Sequence, residues 1–331
     1  MKHIIKQKGL TLIELMVSLV LGLLITAIVI AMFAQTKRNY NQDEEIAHMQ
    51  ENGRFAIQML ANEVAHAGFL GNMHFSTGEI DLPAALKTSY AVPFTSDCTS
   101  SWFKPTTRPI EVFNQSVAPT TCFSDARTGT NILIVKRVAN TPETSLSGKF
   151  LFTSYGKHGS FFVGSTSVSG YQYWNYMVNM YYIKDDDNGI PGLARKRLTF
   201  DGTALDVSTD GIIVPGIQDF TVLLGHDSDA TANFYGVPTR YVTNVTTATV
   251  YSGETVSDKI VSARINILAR SLNENPSTVN NRKYSLYTDD TPTGYGLTGT
   301  GFYGRVFSTA VMIRNLAQRI QLEKLKNPPS S

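Results

Sequence analysis

The chain has 331 residues, of which 42% are hydrophobic and 17% are charged, and this balance excludes a mainly disordered protein. Its formal net charge of +2 provides no general electrostatic reason to bind nucleic acid. Two cysteines and six histidines are too few for a disulfide-scaffold protein or a cysteine-rich zinc protein. We expect one or two folded units, without a metal ion or a cofactor.

A basic N-terminus precedes an uncharged, apolar run over residues 15–34. As a helix with about 1.5 Å rise per residue, this run spans roughly 30 Å, the hydrocarbon thickness of a bilayer. The lysines at positions 2, 6 and 8 predict a cytoplasmic N-terminus, with the rest of the chain across the membrane. A plain membrane anchor and a Sec signal peptide cut behind the apolar run are two open interpretations.

Glu14 is a lone carboxylate within the otherwise apolar segment 10–16. An unpaired acid costs about 2.5–3.5 kcal/mol at the centre of a membrane helix, so Glu14 indicates a functional site that needs a cationic partner. The segment 8–14, Lys-Gly-Leu-Thr-Leu-Ile-Glu, closely resembles the leader of type IV prepilins. In that family a membrane aspartic peptidase cuts after the glycine and methylates the new N-terminus.

The resemblance implies cleavage between Gly9 and Leu10, followed by N-methylation of Leu10. Glu14 then occupies the fifth mature position, where the family carries its glutamate, and pairs with the Leu10 α-ammonium of a neighbouring subunit. The family usually has Phe at the first mature position, whereas this chain has Leu10. In such assemblies the subunit at the extreme tip can lack the glutamate, so its presence implies a position below the outermost subunit.

Apolar residues continue at helical spacing after the apolar run, and no proline occurs before Pro83. Gly68 and Gly71 are typical signals for the end of a helix. The pattern predicts one helix from Leu10 to about Ala67, with its first half in the membrane and its second half against a core. The apolar positions of the second half are Ile46, Met49, Ala56, Ile57, Leu60 and Val64.

After residue 71, β-branched and aromatic runs alternate with segments rich in Pro, Gly, Ser, Thr and Asn. The clearest run is Ile260–Arg270, where apolar and polar residues alternate as in a half-buried strand. We predict an α+β, pilin-like fold, in which the long helix packs on a mainly antiparallel sheet, and a short helix over Leu316–Lys326. The other candidate strands are Ile110–Phe113, Asn131–Val138, Phe150–Thr153, Ser160–Val163, Tyr171–Ile183, Leu193–Phe200, Ile217–Leu224 and Phe302–Ile313.

The expected organisation is a cleaved leader (1–9), a transmembrane and amphipathic helix (10–71) and a periplasmic β-rich domain (72–331). Three segments, 216–227, 261–271 and 305–315, are similar to PilW-type minor pilins of type IVa systems. That similarity implies a role in initiating pili from the inner membrane. The implied partners are a prepilin peptidase, other minor pilins, the major pilin and a PilY-type tip adhesin, and the final location is the pilus fibre.

Two other classes of protein are considered. J-type pseudopilins of type II secretion share the architecture, although their globular domains tend to be shorter. A membrane-tethered periplasmic enzyme or sensor is the third class, but the chain has no Gly-x-Ser-x-Gly motif, P-loop or metal-spaced His pair, so we expect no enzymatic activity.

Cys98 and Cys122 fall in the predicted periplasmic domain, where oxidation is available, and we expect them to form one disulfide. Pairing with other chains and two free buried thiols are the alternatives.

Four further patterns are weak evidence for a binding site. The Gly-x-Gly-x-x-Gly string at 299–304 lacks the strand–helix context of a nucleotide site, and the acidic run 185–189 fits a hairpin turn better than a calcium loop. Asp227 and Asp229 could hold a hard cation, although the ligand count is unknown. The aromatic run 171–182 favours core packing over stacking on a sugar or base.

Overall fold

The computed structural model describes residues 9, 11–72, 109–114, 122–155, 158–167, 169–227, 237–242, 250–251, 254–255, 260–275, 279–286, 295–297 and 300–316. The chain divides into two compact units, residues 1–48 and 49–331. The predicted α+β fold is confirmed, because one long apolar helix precedes a domain of antiparallel sheets.

The long helix, α1, extends over Leu12–Ala65 and confirms the predicted helix to within two residues at each end. Two hydroxyl groups within its apolar part donate to carbonyls one turn earlier, Ser18 to Glu14 at 2.6 Å and Thr26 to Gly22 at 2.8 Å. These bonds satisfy polar groups that a bilayer cannot satisfy. Gly68 adopts a φ of 73° directly after the helix and donates its N–H to the Lys136 carbonyl, which confirms it as a stop signal.

Fifteen strands are described, and they form two main sheets and two short ribbons. The first sheet has seven strands in the order β1-β2-β5-β3-β4, with β6 on β5 and β7 on β6; the second has the order β15-β12-β8-β9. All the pairs are antiparallel. The bounds are β1 Ile110–Asn114, β2 Asn131–Pro142, β3 Leu151–Tyr155, β4 His158–Phe162, β5 Gln172–Asp185, β6 Pro191–Phe200, β7 Leu205–Pro215, β8 Ile217–His226, β9 Arg240–Val242, β10 Val250–Tyr251, β11 Glu254–Thr255, β12 Ile260–Arg270, β13 Lys283–Tyr284, β14 Tyr295–Gly296 and β15 Gly304–Met312.

Every candidate strand is present, but the prediction missed β7 and five short strands. Two register shifts against β6 interrupt the alternation of β7, one near Ile213 and one near Asp210. Because each extra residue turns the following side chains to the opposite face, the sequence of β7 has no clean two-residue period. The predicted helix at Leu316–Lys326 lies outside the described residues, except for a helical turn at 314–316.

The second half of α1 packs on the sheets through one buried stripe at helical spacing. Gly53 lies on this stripe, and a Cβ atom built there would overlap the ring of Phe307 in β15. The missing side chain therefore creates the space in which β15 contacts the helix. The buried residues of α1 are Met49, Gly53, Ala56, Ile57, Leu60, Glu63 and Val64.

We predict that Gly53→Ala destabilises the full chain by about 1–3 kcal/mol, because Phe307 has to move in a packed core. In an exposed helix, replacing Gly by Ala usually raises the free energy of unfolding by about 1 kcal/mol. A decrease at Gly53 would therefore indicate the contact with Phe307. Urea unfolding of the full chain in detergent measures it. Gly22→Ala is the matched control, since nothing lies within 4 Å of an added Cβ there. A gain in stability for Gly53→Ala would contradict the predicted contact.

Candidate functional site

The first turn of α1 is closed by reciprocal hydrogen bonds between Thr11 and Glu14. The Thr11 N–H and Oγ1 each donate to Glu14 Oε2 at 3.2 Å, and the Glu14 N–H donates to Thr11 Oγ1 at 3.4 Å. This arrangement is a capping box, which satisfies amides that the helix itself leaves unbonded. It also places a carboxylate at the positive end of the helix dipole, where a negative charge is favoured.

Only one oxygen of Glu14 takes part in the cap. Both hydrogen bonds reach Oε2, whereas Oε1 has no partner among the described residues. A carboxylate has room for about four donors, so Glu14 can cap its own helix and still accept a bond from a cation on another molecule. Gly9 is exposed, with nothing within 4 Å of an added Cβ, and Leu10 lies outside the described residues.

The apolar part of α1 is exposed in the structure as described. Its large hydrophobic side chains between Leu12 and Phe33 are all at least 52% exposed. By length and composition this helix is able to cross a membrane, and none of its most apolar window is buried inside the protein. Such a surface is stable in lipid or against other apolar helices, and unfavourable in water.

Glu63 is the one charged residue on the buried stripe of α1, and it binds both neighbouring strands of the first sheet. Arg137 of β2 donates to Oε1 at 2.9 Å and to Oε2 at 3.3 Å, and Asn179 of β5 donates to Oε2 at 2.9 Å. Burial raises the pKa of the Glu63 carboxyl, but these hydrogen bonds outweigh burial and hold the pKa below its ordinary value. Glu63 therefore fixes the helix on the sheet as an anion.

Cys122 lies in a turn that is held firmly against the first sheet. It is 4% exposed, and Lys196 of β6 donates to its carbonyl oxygen at 2.7 Å and to Asp125 Oδ1 at 2.8 Å. The Tyr182 hydroxyl donates to Asp125 Oδ2 at 2.8 Å. Cys98 lies outside the described residues, so the disulfide stays a prediction.

The remaining candidate residues divide into core positions and positions that are not described. Asp227 is fully buried, and Asp229 lies outside the described residues. The described part of the chain contains no group of three or more His, Cys, Asp and Glu side chains that could hold a metal ion. A strand, not a helix, begins at Gly304, which argues against a nucleotide-binding loop.

Two predictions about the first sheet are confirmed. Asp186 and the Asn188-Gly189 pair form the β5–β6 turn, in which Asp186 Oδ1 accepts from the backbone N–H of Asn188 at 2.9 Å and of Ile190 at 2.7 Å. Tyr171, just before β5, is only partly buried. The other aromatic residues of the run lie in β5 and belong to the core, since they are at most 5% exposed. They are Tyr173, Trp174, Tyr176, Tyr181 and Tyr182.

Comparisons with known proteins give two matches. Residues 4–30 match the family model of the prokaryotic N-terminal methylation motif, which contains Gly9, Leu10 and Glu14. Residues 180–315 match the family model of type IV pilus-assembly protein W. Together the two matches support a PilW-type minor pilin. The PilW match begins in β5 and includes the three segments whose similarity was noted from the sequence. No curated protein and no solved structure matched the chain.

Sequence reasoning missed three residues of the described structure. The Thr-x-x-Glu spacing of Thr11 and Glu14 is the standard signature of a capping box and could have been found. Glu63 and Gly53 leave no such local signal, because their partners Arg137 and Phe307 are far along the chain and only the folded sheet brings them together.

We predict that Glu63→Gln lowers the free energy of unfolding by about 3 kcal/mol at neutral pH, because Arg137 is left buried without its anion. The folded-state pKa of Glu63 is depressed, so its contribution is present above the unfolded-state pKa and is lost as the pH falls through the folded-state value. Urea unfolding of the full chain in detergent between about pH 2 and 7 should show this acid-dependent loss in the parent chain and a smaller loss in Glu63→Gln. Glu51→Gln, an exposed substitution on the same helix, should match the parent chain. Equal pH dependence in the parent and Glu63→Gln would contradict the role of the ion pair.

We also predict that replacing Cys98 and Cys122 together by Ser lowers stability by roughly 3.5 kcal/mol, since a disulfide between them closes a loop of about 25 residues. The level of the protein should fall while leader cleavage continues. Thiol labelling of protein purified under oxidising conditions checks the bond directly, and labelling of both cysteines would rule it out.

Proposed function

We propose that this minor pilin takes part in initiating type IV pilus assembly, within a tip-priming complex in the inner membrane. Its partners there are other minor pilins, the major pilin and a PilY-type tip adhesin, after a prepilin peptidase has cut between Gly9 and Leu10. The N-terminus faces the cytoplasm and the β-rich domain faces the periplasm until the subunit enters the pilus fibre. The match to type IV pilus-assembly protein W supports this proposal over a role in type II secretion.

The observation that carries the proposal is the geometry of Glu14 at the start of an uncovered apolar helix. Cleavage after Gly9 creates an α-ammonium on Leu10, and a neighbouring subunit can present this cation to Glu14 Oε1, which the cap leaves open. In a medium of low dielectric constant two opposite charges attract strongly, and a misplaced subunit leaves one charge unpaired. The pair therefore favours one axial register between subunits.

The same geometry supports a position for this subunit. A carboxylate that has to meet the N-terminus of another pilin-like chain needs such a chain ahead of it. Because this chain retains Glu14, we place it below the outermost subunit of the complex.

Three variants of the full-length chain test the pairing role in its own cells. Glu14→Gln keeps an oxygen that can cap Thr11 but removes the charge, whereas Thr11→Ala removes the capping hydroxyl and keeps the charge. Gly9→Leu is the reference for blocked processing, because the peptidase needs close access to the backbone at this position. The leucine side chain should not disturb the protein itself, since nothing lies within 4 Å of an added Cβ there. The measurements are the mass of the mature N-terminus, surface piliation and co-purification of the other pilus subunits.

If the charge pair drives assembly, Glu14→Gln is cleaved and stably present, but piliation drops at least ~10-fold, the equivalent of about 1.4 kcal/mol. Thr11→Ala should assemble nearly normally, because losing a cap costs only about 0.5–2 kcal/mol in the one helix that carries it. Normal piliation with Glu14→Gln and a loss with Thr11→Ala would show that Glu14 serves only as a cap. An uncleaved N-terminus in the parent chain would overturn the proposed function itself.

A further inference from the structure

Among the described strands, β15 ends the second sheet and pairs on one side only, which leaves its other edge open within that part of the chain. It pairs with β12 on one side, and the Ile313 N–H continues this ladder by donating to the Val261 carbonyl at 2.8 Å. In an antiparallel strand, the N–H and C=O groups of one residue point to the same side, and those of the next residue point to the other side. Counting back from Ile313 as far as Val306, the backbone groups of four residues point away from β12, and no other described strand pairs with them. They are Val306, Ser308, Ala310 and Met312.

This edge lacks the features that usually prevent strands from pairing with other chains. Between Val306 and Met312 there is no charge and no proline, and the register against β12 has no shift. The other long edge strand, β7, has two register shifts and two acidic residues, Asp206 and Asp210. On the opposite side of the second sheet, the described part of β9 has three residues, Arg240–Val242.

A groove of about 590 Å³ lies beside the end of β15, and its other walls are the end of α1 with the turn that follows it and Asn140 of β2. Its lining residues are Ala65, His66, Phe69, Asn140, Ala310, Val311, Met312, Arg314 and Asn315. Met312 is 54% exposed at this groove. Two exposed arginines flank the strand, Arg305 at its start and Arg314 beyond its end, and neither forms an ion pair within the described residues. The edge is therefore uncharged along its centre, with Ala310 and Met312 as apolar positions, and cationic at both ends.

We propose that β15 accepts an extended segment of another pilus-tip subunit, which adds a strand to the second sheet by β-augmentation. The segment is apolar at its centre, to match Ala310 and Met312, and carries acidic residues at its ends, to match Arg305 and Arg314. Backbone hydrogen bonds to the four outward-pointing residues give affinity, and the flanking charges fix the register. This inference rests on the proposed function, because it takes its partner from the same complex.

The first test compares Ala310→Pro with Ala310→Ser in the full-length chain. Proline removes an N–H that points away from β12, so the ladder within the sheet is kept, whereas serine keeps that N–H in place. We expect Ala310→Pro to reduce co-purification of one pilus subunit at least ~10-fold relative to the amount of this chain, and Ala310→Ser to have less than about a twofold effect. The level and the thermal unfolding of each variant in detergent are measured in parallel.

The second test stays informative if Ala310→Pro fails to accumulate. A photo-crosslinking amino acid is placed at Ser308, and as the control at the exposed Asp187 in the β5–β6 turn. We expect position 308 alone to crosslink to an apolar, acid-flanked segment of another pilus subunit. Crosslinks from 308 only within this chain or to a second copy of it would overturn the proposal, as would unchanged co-purification of a folded Ala310→Pro variant.

The two proposals fail in different ways. If the parent chain co-purifies with pilus subunits and Ala310→Pro does so equally, only the role of the edge is wrong. If the parent chain co-purifies with no pilus subunit and its loss leaves piliation unchanged, the proposed function is wrong, and with it the partner assigned to β15.

Discussion

The ion pair between Glu63 and Arg137 fixes how the end of the long helix, after Met49, packs on the first sheet. A carboxylate on a buried stripe is tolerated only where donors satisfy it, and Arg137 and Asn179 supply those donors from two adjacent strands. The pair thereby selects one rotation of the helix. In that rotation Gly53 faces Phe307, so the helix is fixed at one point to the first sheet and at another to the second. A helix held only by apolar contacts could slide or rotate at much lower cost.

Glu14 and Glu63 show how the same side chain serves two purposes on one helix. Glu63 has donors on both oxygens, all from its own chain, and its pKa is lowered by them. Within the described part of the chain, Glu14 has donors on one oxygen alone, from Thr11 just before the helix. The first carboxylate is a completed structural contact. The Glu14 carboxylate is only partly satisfied: its bonds to Thr11 hold it in place, and its other oxygen can still bind a partner.

Elements with strict periodicity were predictable from the sequence, and contacts between distant segments were not. Ile260–Arg270 has the same bounds in the structure as in the prediction, and both neighbouring strands pair along it. The prediction that it is half-buried is wrong, because its polar residues Ser262, Asn266 and Arg270 are buried as well as its apolar ones. The strand β7 escaped prediction because its two register shifts destroy that period. At the candidate site, Gly9, Leu10 and Glu14 could be named because they form one contiguous motif. Glu63 could not, since its partners lie 74 and 116 residues away along the chain.

The β15 edge and the Glu14 carboxylate can both bind a partner, but the first lies in water and the second in lipid. An open strand edge in water is solvated, so β15 carries little energetic penalty before a partner binds, and its risk is pairing with the wrong chain. In lipid, no water can hydrogen-bond the second oxygen of Glu14. Its unpaired charge therefore costs free energy until a cation binds to it. From this difference we infer two roles. Pairing of Glu14 with a cation supplies free energy for assembly, and the β15 edge determines which subunit binds next to this one. Loss of Glu14 should then weaken contacts with every neighbouring subunit in the membrane, whereas a blocked β15 edge should remove one specific partner and leave the others.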